Sequence, residues 1–189
     1  MSKKTKGQFY TTNVNYIFDG FSIPSSASNI IEPFAGQGDL LKWIGDKKVS
    51  AYDIDPKIKG VIQRDTLKTP PSYINAFVIT NPPFLARNKS KEKELYDMYK
   101  TNDLYKCFLI SVLNCEGGIL ILPAGFFFSP READTQLRHA FMSRFKIFKI
   151  RYFEETVFDD TTTTVVAFQF ERNLDRLEQS QDTLTRQDR

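Results

Sequence analysis

Short apolar runs alternate along the chain with segments whose apolar positions recur at helical spacing. Runs rich in β-branched and aliphatic residues predict seven strands, at 29–34, 48–53, 61–64, 76–80, 118–122, 147–153 and 163–170. Helical spacing predicts helices at 39–44, 91–113 and 131–143, the second broken around 101–103. Because strands separated by helices form crossover units, the pattern predicts an α/β, Rossmann-like fold with a mostly parallel seven-stranded sheet.

The end of the chain departs from this alternation. Only residues 154–162 separate the last two strands, which is too short for a crossover helix, so these strands are expected to form an antiparallel hairpin at the end of the sheet. From Arg172 onwards the sequence is polar with only three leucines, which is typical of a frayed helix or a disordered tail. We therefore expect one domain over 1–171 and no second domain in 172–189.

Length and composition narrow the class of protein. A chain of 189 residues is long enough for one well-buried domain. No apolar run is as long as a membrane span, and the first residues lack the apolar segment of a signal peptide, so an intracellular protein is expected. Cys107 and Cys115 have no second cysteine pair or histidine cluster beside them, which favours reduced structural thiols and no metal site. The single His139 lies in a predicted helix with no nucleophile motif that would make it a base.

Charge adds one local feature. The net charge of +3 and the pI of about 8.8 are compatible with nucleic acid binding without requiring it. Four basic residues, Arg87, Lys89, Lys91 and Lys93, follow the fourth predicted strand closely. Such a run is either a solvated face or a set of phosphate contacts.

Polar residues and glycines follow the first three predicted strands. Residues 32–38, Glu-Pro-Phe-Ala-Gly-Gln-Gly, follow the first strand, and Asp53 and Asp65 follow the second and third. Each acid alone could be a helix cap or a turn residue. Parallel strands bring their carboxyl ends to one edge of the sheet, so the three together predict a rim that binds a nucleoside. The absence of the fuller Gly-x-Gly-x-x-Gly loop argues against a dinucleotide.

The fourth predicted strand ends at Asn81-Pro82-Pro83-Phe84. The Asn81 amide oxygen and the Pro82 carbonyl are a rigid pair of acceptors for the two hydrogens of a planar amino group, and Phe84 provides a face on which a flat ring can stack. The alternative is a stiff turn. Its position after a buried strand, where open α/β sheets place their chemistry, favours the functional interpretation.

These motifs, in this order, resemble those of the S-adenosylmethionine-dependent N6-adenine DNA methyltransferases in which the cofactor motifs precede the catalytic motif. Gly7-Gln8-Phe9-Tyr10-Thr11-Thr12 resembles the amino-terminal cofactor motif of that family, although many relatives carry Pro where this chain has Thr12. The resemblance extends from Lys6 to about Glu171, and 81–91 resembles the restriction-modification enzymes of bacteria and large algal viruses.

The resemblance implies a class I methyltransferase fold, S-adenosylmethionine as cofactor and a flipped adenine in double-stranded DNA as substrate. It implies that Asp53 holds the ribose hydroxyls, that Ile54 packs on the cofactor adenine and that Asp65 accepts from its amino group. The implied cofactor-binding residues are Tyr10, Thr11, Thr12, Glu32, Pro33, Ala35, Gly36, Gly38, Asp53, Ile54, Asp65, Thr66 and Asn81. The implied catalytic residues are Asn81, Pro82, Pro83 and Phe84. The implied substrate-binding residues are Phe84, Phe158, Arg87, Lys89 and Lys91, with a core position as the alternative for Phe158.

Other substrates and roles stay open at this stage. Relatives with an Asn-Pro-Pro-aromatic motif also methylate glutamine side chains or exocyclic amines of ribosomal RNA, because all present a planar amino group. A non-catalytic, methyltransferase-like binding subunit is a further alternative, against which Asp53 and Asn81 argue. The chain has no room after Phe170 for the target-recognition region usual in the family. Recognition would therefore come from an absent region, from short loops or from a separate subunit.

Overall fold

The computed structural model describes residues 13–154 and 163–174. Its centre is a seven-stranded sheet with the strand order β3-β2-β1-β4-β5-β7-β6. The strands are β1 (Ile30–Glu32), β2 (Val49–Asp53), β3 (Ile62–Gln63), β4 (Phe77–Thr80), β5 (Gly117–Pro123), β6 (Phe145–Tyr152) and β7 (Val165–Arg172). All seven coincide with strands predicted from the sequence.

Strand direction also agrees with the prediction. The pairs β1 with β2, β1 with β4, β2 with β3 and β4 with β5 are parallel. Strand β7 runs antiparallel to both β5 and β6, and so inserts between them. The predicted α/β fold with a mostly parallel sheet and an antiparallel hairpin at its end is confirmed.

The helices are short. They are α1 (Val14–Ile17), α2 (Asp39–Ile44), α3 (Glu94–Tyr99), α4 (Leu104–Ser111), α5 (Gly125–Phe128) and α6 (Glu132–Arg144), with a 3-10 turn at Arg87–Lys89. The predicted break around 101–103 is present between α3 and α4, where Lys100 adopts the left-handed conformation with φ 53°. The sequence did not predict α1 or α5, because four residues are too few for helical periodicity to show.

The core on both faces of the sheet is rich in aromatic and aliphatic side chains. Strands β4 and β5 are buried along almost their whole length, as expected for central strands of a parallel sheet. Between them Gly118 allows the backbones to approach closely, since a Cβ atom there would lie 2.2 Å from the Val78 carbonyl oxygen. The core fixes the carboxyl ends of β1 and β4 relative to each other.

Both cysteines are buried and free, as the sequence predicted. Burial raises the pKa of the Cys107 and Cys115 thiols to about 12. Among the described residues, no helix is long and apolar enough to cross a membrane.

Candidate active site

A cavity of about 390 Å³ opens at the carboxyl ends of β1, β2 and β4. Ten of the residues singled out from the sequence line it: Ala35, Gly36, Asp53, Ile54, Asp65, Thr66, Asn81, Pro83, Lys89 and Lys91. The structure therefore brings the glycine loop, the two acids and the loop after β4 together at one site.

Asp53 is a buried anchor at the end of β2. Its Oδ2 accepts a hydrogen bond from the Gly36 N–H at 2.8 Å, and its Oδ1 accepts one from the Asp55 N–H at 2.8 Å. Each carboxylate oxygen can accept two hydrogen bonds, so the group keeps capacity for further donors. The two backbone contacts fix the orientation of the carboxylate and tie the glycine loop to the next strand.

The glycine loop relies on glycine at its two sharp turns. Gly36 has φ 54° and Gly38 has φ 80°, a region that side chains disfavour. A Cβ atom on Gly38 would lie 2.4 Å from Cδ1 of Ile58, so a side chain there would force a shift in its neighbour. Beside the loop Ile54 lines the cavity and is 46% exposed. This apolar surface is available to a flat ring.

Asp65 and Thr66 form a tight turn after β3. The Asp65 Oδ1 accepts hydrogen bonds from the backbone N–H groups of Leu67 and Lys68, each at 3.1 Å. The buried Thr66 hydroxyl donates to the Pro33 carbonyl at 3.0 Å, which links this turn to the glycine loop. Asp65 thus fills the turn role considered for it from the sequence, and it also lines the cavity.

Glu32, at the end of β1, is fully buried and does not line the cavity. Its Oε1 accepts hydrogen bonds from the Thr80 hydroxyl at 2.5 Å and from the Phe34 N–H at 3.0 Å. Its Oε2 has no hydrogen-bond partner among the described residues. Burial, with a smaller contribution from the Asp53 charge, raises the pKa of Glu32 to about 8 against the effect of its two hydrogen bonds. The side chain is therefore largely protonated at neutral pH.

The Asn-Pro-Pro-Phe segment starts directly after β4. Asn81 is 8% exposed, and both Asn81 and Pro83 line the cavity, whereas Pro82 and Phe84 do not. Phe84 belongs to the core, where its ring stands perpendicular to that of Tyr105 at a centroid distance of 6.2 Å. The stacking role expected for Phe84 stays a prediction.

The basic residues after this segment divide into two groups. Lys89 and Lys91 line the cavity. Arg87 does not, and its guanidinium pairs with Asp97 on α3 at 2.8 Å. Lys93 donates to the carbonyls of Arg87 and Ser90, and so folds the segment back on itself. Of the three basic residues implied as substrate-binding, two therefore face the cavity.

One wall of the cavity was missed by sequence reasoning. It is built from α3 and the start of α4, through Glu94, Leu95, Tyr96 and Leu104. The Tyr96 hydroxyl donates to the Leu85 carbonyl at 2.9 Å, so this wall holds the loop after β4. The sequence did predict the break around 101–103 that separates α3 from α4, but not that both helices border the cavity.

Some predicted site residues lie outside the described part of the chain, namely Tyr10, Thr11, Thr12 and Phe158. Within residues 13–154 and 163–174, no group of three or more His, Cys, Asp or Glu side chains could hold a metal ion. The described site thus presents carboxylates, lysines, an asparagine amide and apolar surface.

Comparison with known families identifies one region of the chain. Residues 76–158 match the Eco57I restriction-modification methylase family. This region runs from the start of β4 through α6 and β6, and includes the Asn-Pro-Pro-Phe segment. The resemblance to restriction-modification methyltransferases drawn from the sequence is confirmed. No curated protein sequence matches the chain.

Solved structures agree on the fold at low sequence identity. A modification subunit of a putative type I restriction enzyme from Vibrio vulnificus YJ016 is 15% identical, with a TM-score of 0.68 over 88% of this chain and 45% of that one. A putative class I S-adenosylmethionine-dependent methyltransferase from Listeria monocytogenes is 13% identical, with a TM-score of 0.57 over 84% and 56%. The 23S rRNA methyltransferase ErmE is 14% identical, with a TM-score of 0.57 over 87% and 68%. The fold is that of class I methyltransferases, and the chain spans about half the length of the first two.

Proposed function

We propose that residues 1–171 are the catalytic domain of an S-adenosylmethionine-dependent DNA methyltransferase that acts on the exocyclic N6 of adenine. One observation carries the proposal: the Asp53 and Gly36 rim lines the same cavity as Asn81 and Pro83, which flank Pro82 in the Asn-Pro-Pro-Phe segment. A nucleoside cofactor and a planar amino group could therefore meet there. The match of residues 76–158 to a restriction-modification methylase family supports DNA as the substrate.

The cofactor half of the cavity fits S-adenosylmethionine. The oriented Asp53 carboxylate suits the two hydroxyls of a ribose, and the exposed Ile54 side chain suits the face of an adenine. Asp65 still has one oxygen available beyond the one that accepts from Leu67 and Lys68, which suits an adenine amino group. When bound, the cofactor supplies an electrophilic methyl group on a positively charged sulfur.

Asn81 and Pro82 act on the target amine. The lone pair of adenine N6 is delocalised into the ring, which makes this nitrogen a poor nucleophile. Acceptance of its two hydrogens by the Asn81 side chain and the Pro82 carbonyl concentrates electron density on the nitrogen. The nitrogen forms a bond to the methyl carbon, the carbon–sulfur electron pair leaves with sulfur, and one N6 proton passes to solvent. No dedicated general base is needed, because methylation leaves a positively charged nitrogen that is acidic enough to lose its proton to water.

The duplex must deliver its base into this cavity. An adenine inside the stack cannot reach Asn81, so the target base is flipped out at a cost of a few kcal/mol. Lys89 and Lys91 at the mouth of the cavity would contact backbone phosphates of the DNA. Phe84 and Phe158 are the stacking residues that the family resemblance implies. Target recognition would come from short loops, a region absent from this chain or a separate specificity subunit.

Methylation of ribosomal RNA is the second candidate. The likeness in fold to a protein described as the 23S rRNA methyltransferase ErmE supports this candidate. Both reactions methylate an exocyclic amine, so the acceptor pair at Asn81 suits either. The two candidate functions differ in whether the target adenine belongs to DNA or to RNA.

A single assay tests both. The protein is incubated with methyl-labelled S-adenosylmethionine and either unmethylated duplex DNA or ribosomal RNA, and the nucleosides are separated. We expect label in N6-methyladenine from DNA, reduced roughly 100- to 1000-fold in Asn81→Ala because one preorganised acceptor is lost. Cofactor affinity of this variant should change little.

Asn88→Ala is the matched control, since Asn88 is an exposed asparagine in the same loop. It should retain normal transfer. Near-normal turnover in Asn81→Ala would contradict the acceptor mechanism. Label in RNA alone would replace DNA by RNA as the substrate.

A further inference from the structure

The chain that leaves the Asn-Pro-Pro-Phe segment is held by the residues that precede α4. The Leu85 N–H donates to the Asp103 Oδ1 at 3.1 Å. The Leu85 carbonyl accepts from the Leu104 N–H at 3.3 Å and from the Tyr96 hydroxyl at 2.9 Å. Both backbone groups of the residue next to Phe84 are thus fixed by side chains and backbone from elsewhere in the chain.

Backbone pairing between the loop and the residues before α4 continues beyond Leu85. Ala86 and Asp103 form an isolated antiparallel bridge, and the Arg87 N–H donates to the Asn102 carbonyl at 2.9 Å. Asp103 itself has an extended conformation, with φ −150° and ψ 148°, immediately before the first residue of α4. Its carboxylate can therefore reach sideways to Leu85 while its backbone pairs with the loop.

The bridge is anchored from behind by a buried ion pair. Lys106 on α4 donates to the Asn102 Oδ1 at 2.7 Å and to Asp134 on α6. The side chains of Lys106 and Asp134 are each 8% exposed, and the Ser129 hydroxyl donates to the other Asp134 oxygen at 2.6 Å. Burial opposes ionisation of Asp134, but the hydrogen bonds from Lys106 and Ser129 outweigh it and lower its pKa. The segment at 102–103 is thereby fixed to the body of the domain.

We infer that Asp103 is a positioning residue for methyl transfer, whose carboxylate fixes the exit of the Asn81-Pro82-Pro83-Phe84 segment through the Leu85 N–H. This inference rests on the proposed function. Leu85 lines the cavity and lies four residues after Asn81, so a loop that moved there would move the acceptor pair. Asp103 does not line the cavity, and its effect reaches the substrate only through the loop.

The inference also predicts a pH dependence. Burial raises the pKa of Asp103 to about 6, against hydrogen bonds from the backbone N–H groups of Tyr105, Leu85 and Leu104 and the charge of Lys106. The other titratable groups that it affects are Tyr96 on α3 and Tyr105 and Cys107 on α4, and their pKa values are all raised, so they stay neutral near pH 6. An ionised carboxylate is the stronger acceptor for the Leu85 N–H. Positioning should therefore weaken as the pH falls through about 6.

The test uses Asp103→Ala, which removes the acceptor, and Asp103→Asn, which keeps an acceptor oxygen without the titration. The steady-state rate of methyl transfer to saturating duplex DNA is measured across pH, which gives kcat, together with the dissociation constant of S-adenosylmethionine. We expect kcat to fall about 10-fold or more in Asp103→Ala, as for loss of a hydrogen bond to a charged group. Cofactor affinity should stay within about twofold. Asp103→Asn should restore part of kcat and lack the decline near pH 6.

Asp46→Ala, which removes a carboxylate from an exposed turn, is the matched control and should behave as wild type. Unchanged kcat in Asp103→Ala, with active wild-type protein, would overturn the inference and leave the proposed function intact. Inactive wild-type protein would instead count against the proposed function. In that case, hydrogen exchange of the Leu85 amide tests the loop contact alone: unchanged exchange in Asp103→Ala overturns the inference, and faster exchange supports the role of Asp103 in holding the loop.

Discussion

The two sides of the cavity are built by different means. On the cofactor side, side chains contact backbone, as where Asp53 accepts from Gly36 and Asp65 accepts from Leu67. On the side of the loop after β4, the backbone of residues 85–87 pairs with that of residues 102–104, and the side chains of Asp103, Tyr96 and Lys93 add contacts to the loop backbone. The first kind of contact requires particular residue types, and the second requires mainly a backbone shape. The loop after β4 therefore depends on structure that its own motif does not encode.

The largest effect is expected for Glu32→Gln, which tests the buried carboxyl group that contacts the start of the glycine loop. The folded-state pKa of about 8 lies above the ordinary value of 4.5, so the folded protein binds this proton more tightly than the unfolded chain. The unfolding free energy of the wild type should therefore fall as the pH rises from about 5 to about 8, by about 3 to 4 kcal/mol from this group. Glu32→Gln should lack that fall.

Chemical denaturation across this pH range measures the difference. Glu116→Gln changes the same charge at an exposed position and should keep the slope of the wild type. Parallel pH profiles for wild type and Glu32→Gln would mean that Glu32 is ionised in the folded state.

Asp53→Ala separates cofactor binding from catalysis. It removes the proposed ribose contact and leaves the Gly36 N–H without its acceptor, so S-adenosylmethionine should bind roughly 10- to 100-fold more weakly. Calorimetric titration gives the affinity. Asp55→Ala, at an exposed carboxylate two residues away, should bind normally. Unchanged affinity in Asp53→Ala would refute the ribose assignment.

Gly38→Ala tests the close approach in the glycine loop, with a smaller expected effect. Both Gly38 and Gly60 have a positive φ, at 80° and 91°, but only a Cβ on Gly38 would meet a neighbour, Ile58. Each alanine should lower the unfolding free energy by about 1 to 2 kcal/mol from backbone strain. Only Gly38→Ala should also weaken cofactor binding, because the clash with Ile58 displaces the glycine loop that carries Gly36 at the cavity. Equal S-adenosylmethionine affinity in Gly38→Ala and Gly60→Ala would show that the glycine loop accommodates a Cβ atom at Gly38 without displacement.

The features that depend on particular residue types were mostly predicted from the sequence. All seven strands and the longer helices followed from apolar periodicity, and the glycine loop, Asp53, Asp65 and Asn81 were found because each needs a particular side chain or none. The border between α6 and β6 was less accurate, since the helix ends at Arg144 and the strand begins at Phe145 with no loop to mark the change.

The contacts that hold the loop after β4 could not be predicted in the same way. Leu85, Ala86 and Asn102 contribute backbone groups, which every residue carries, so their pairing leaves no mark in the sequence. Phe84 shows the same limit, because an aromatic ring after the Pro-Pro pair can stack on a substrate or fill the core, and the structure places it in the core beside Tyr105. This core packing does not test the stacking role, which stays a prediction.

The two buried thiols have a practical consequence. Cys107 and Cys115 are the only cysteines of the chain, both have no exposed surface, and burial raises the pKa of each to about 12. Thiolate-directed reagents therefore react with them slowly under native conditions. A single cysteine introduced at an exposed loop position, such as Asn88, would take up a fluorescent or spin label selectively. Movement of the loop during a catalytic cycle could then be followed in the otherwise unaltered protein.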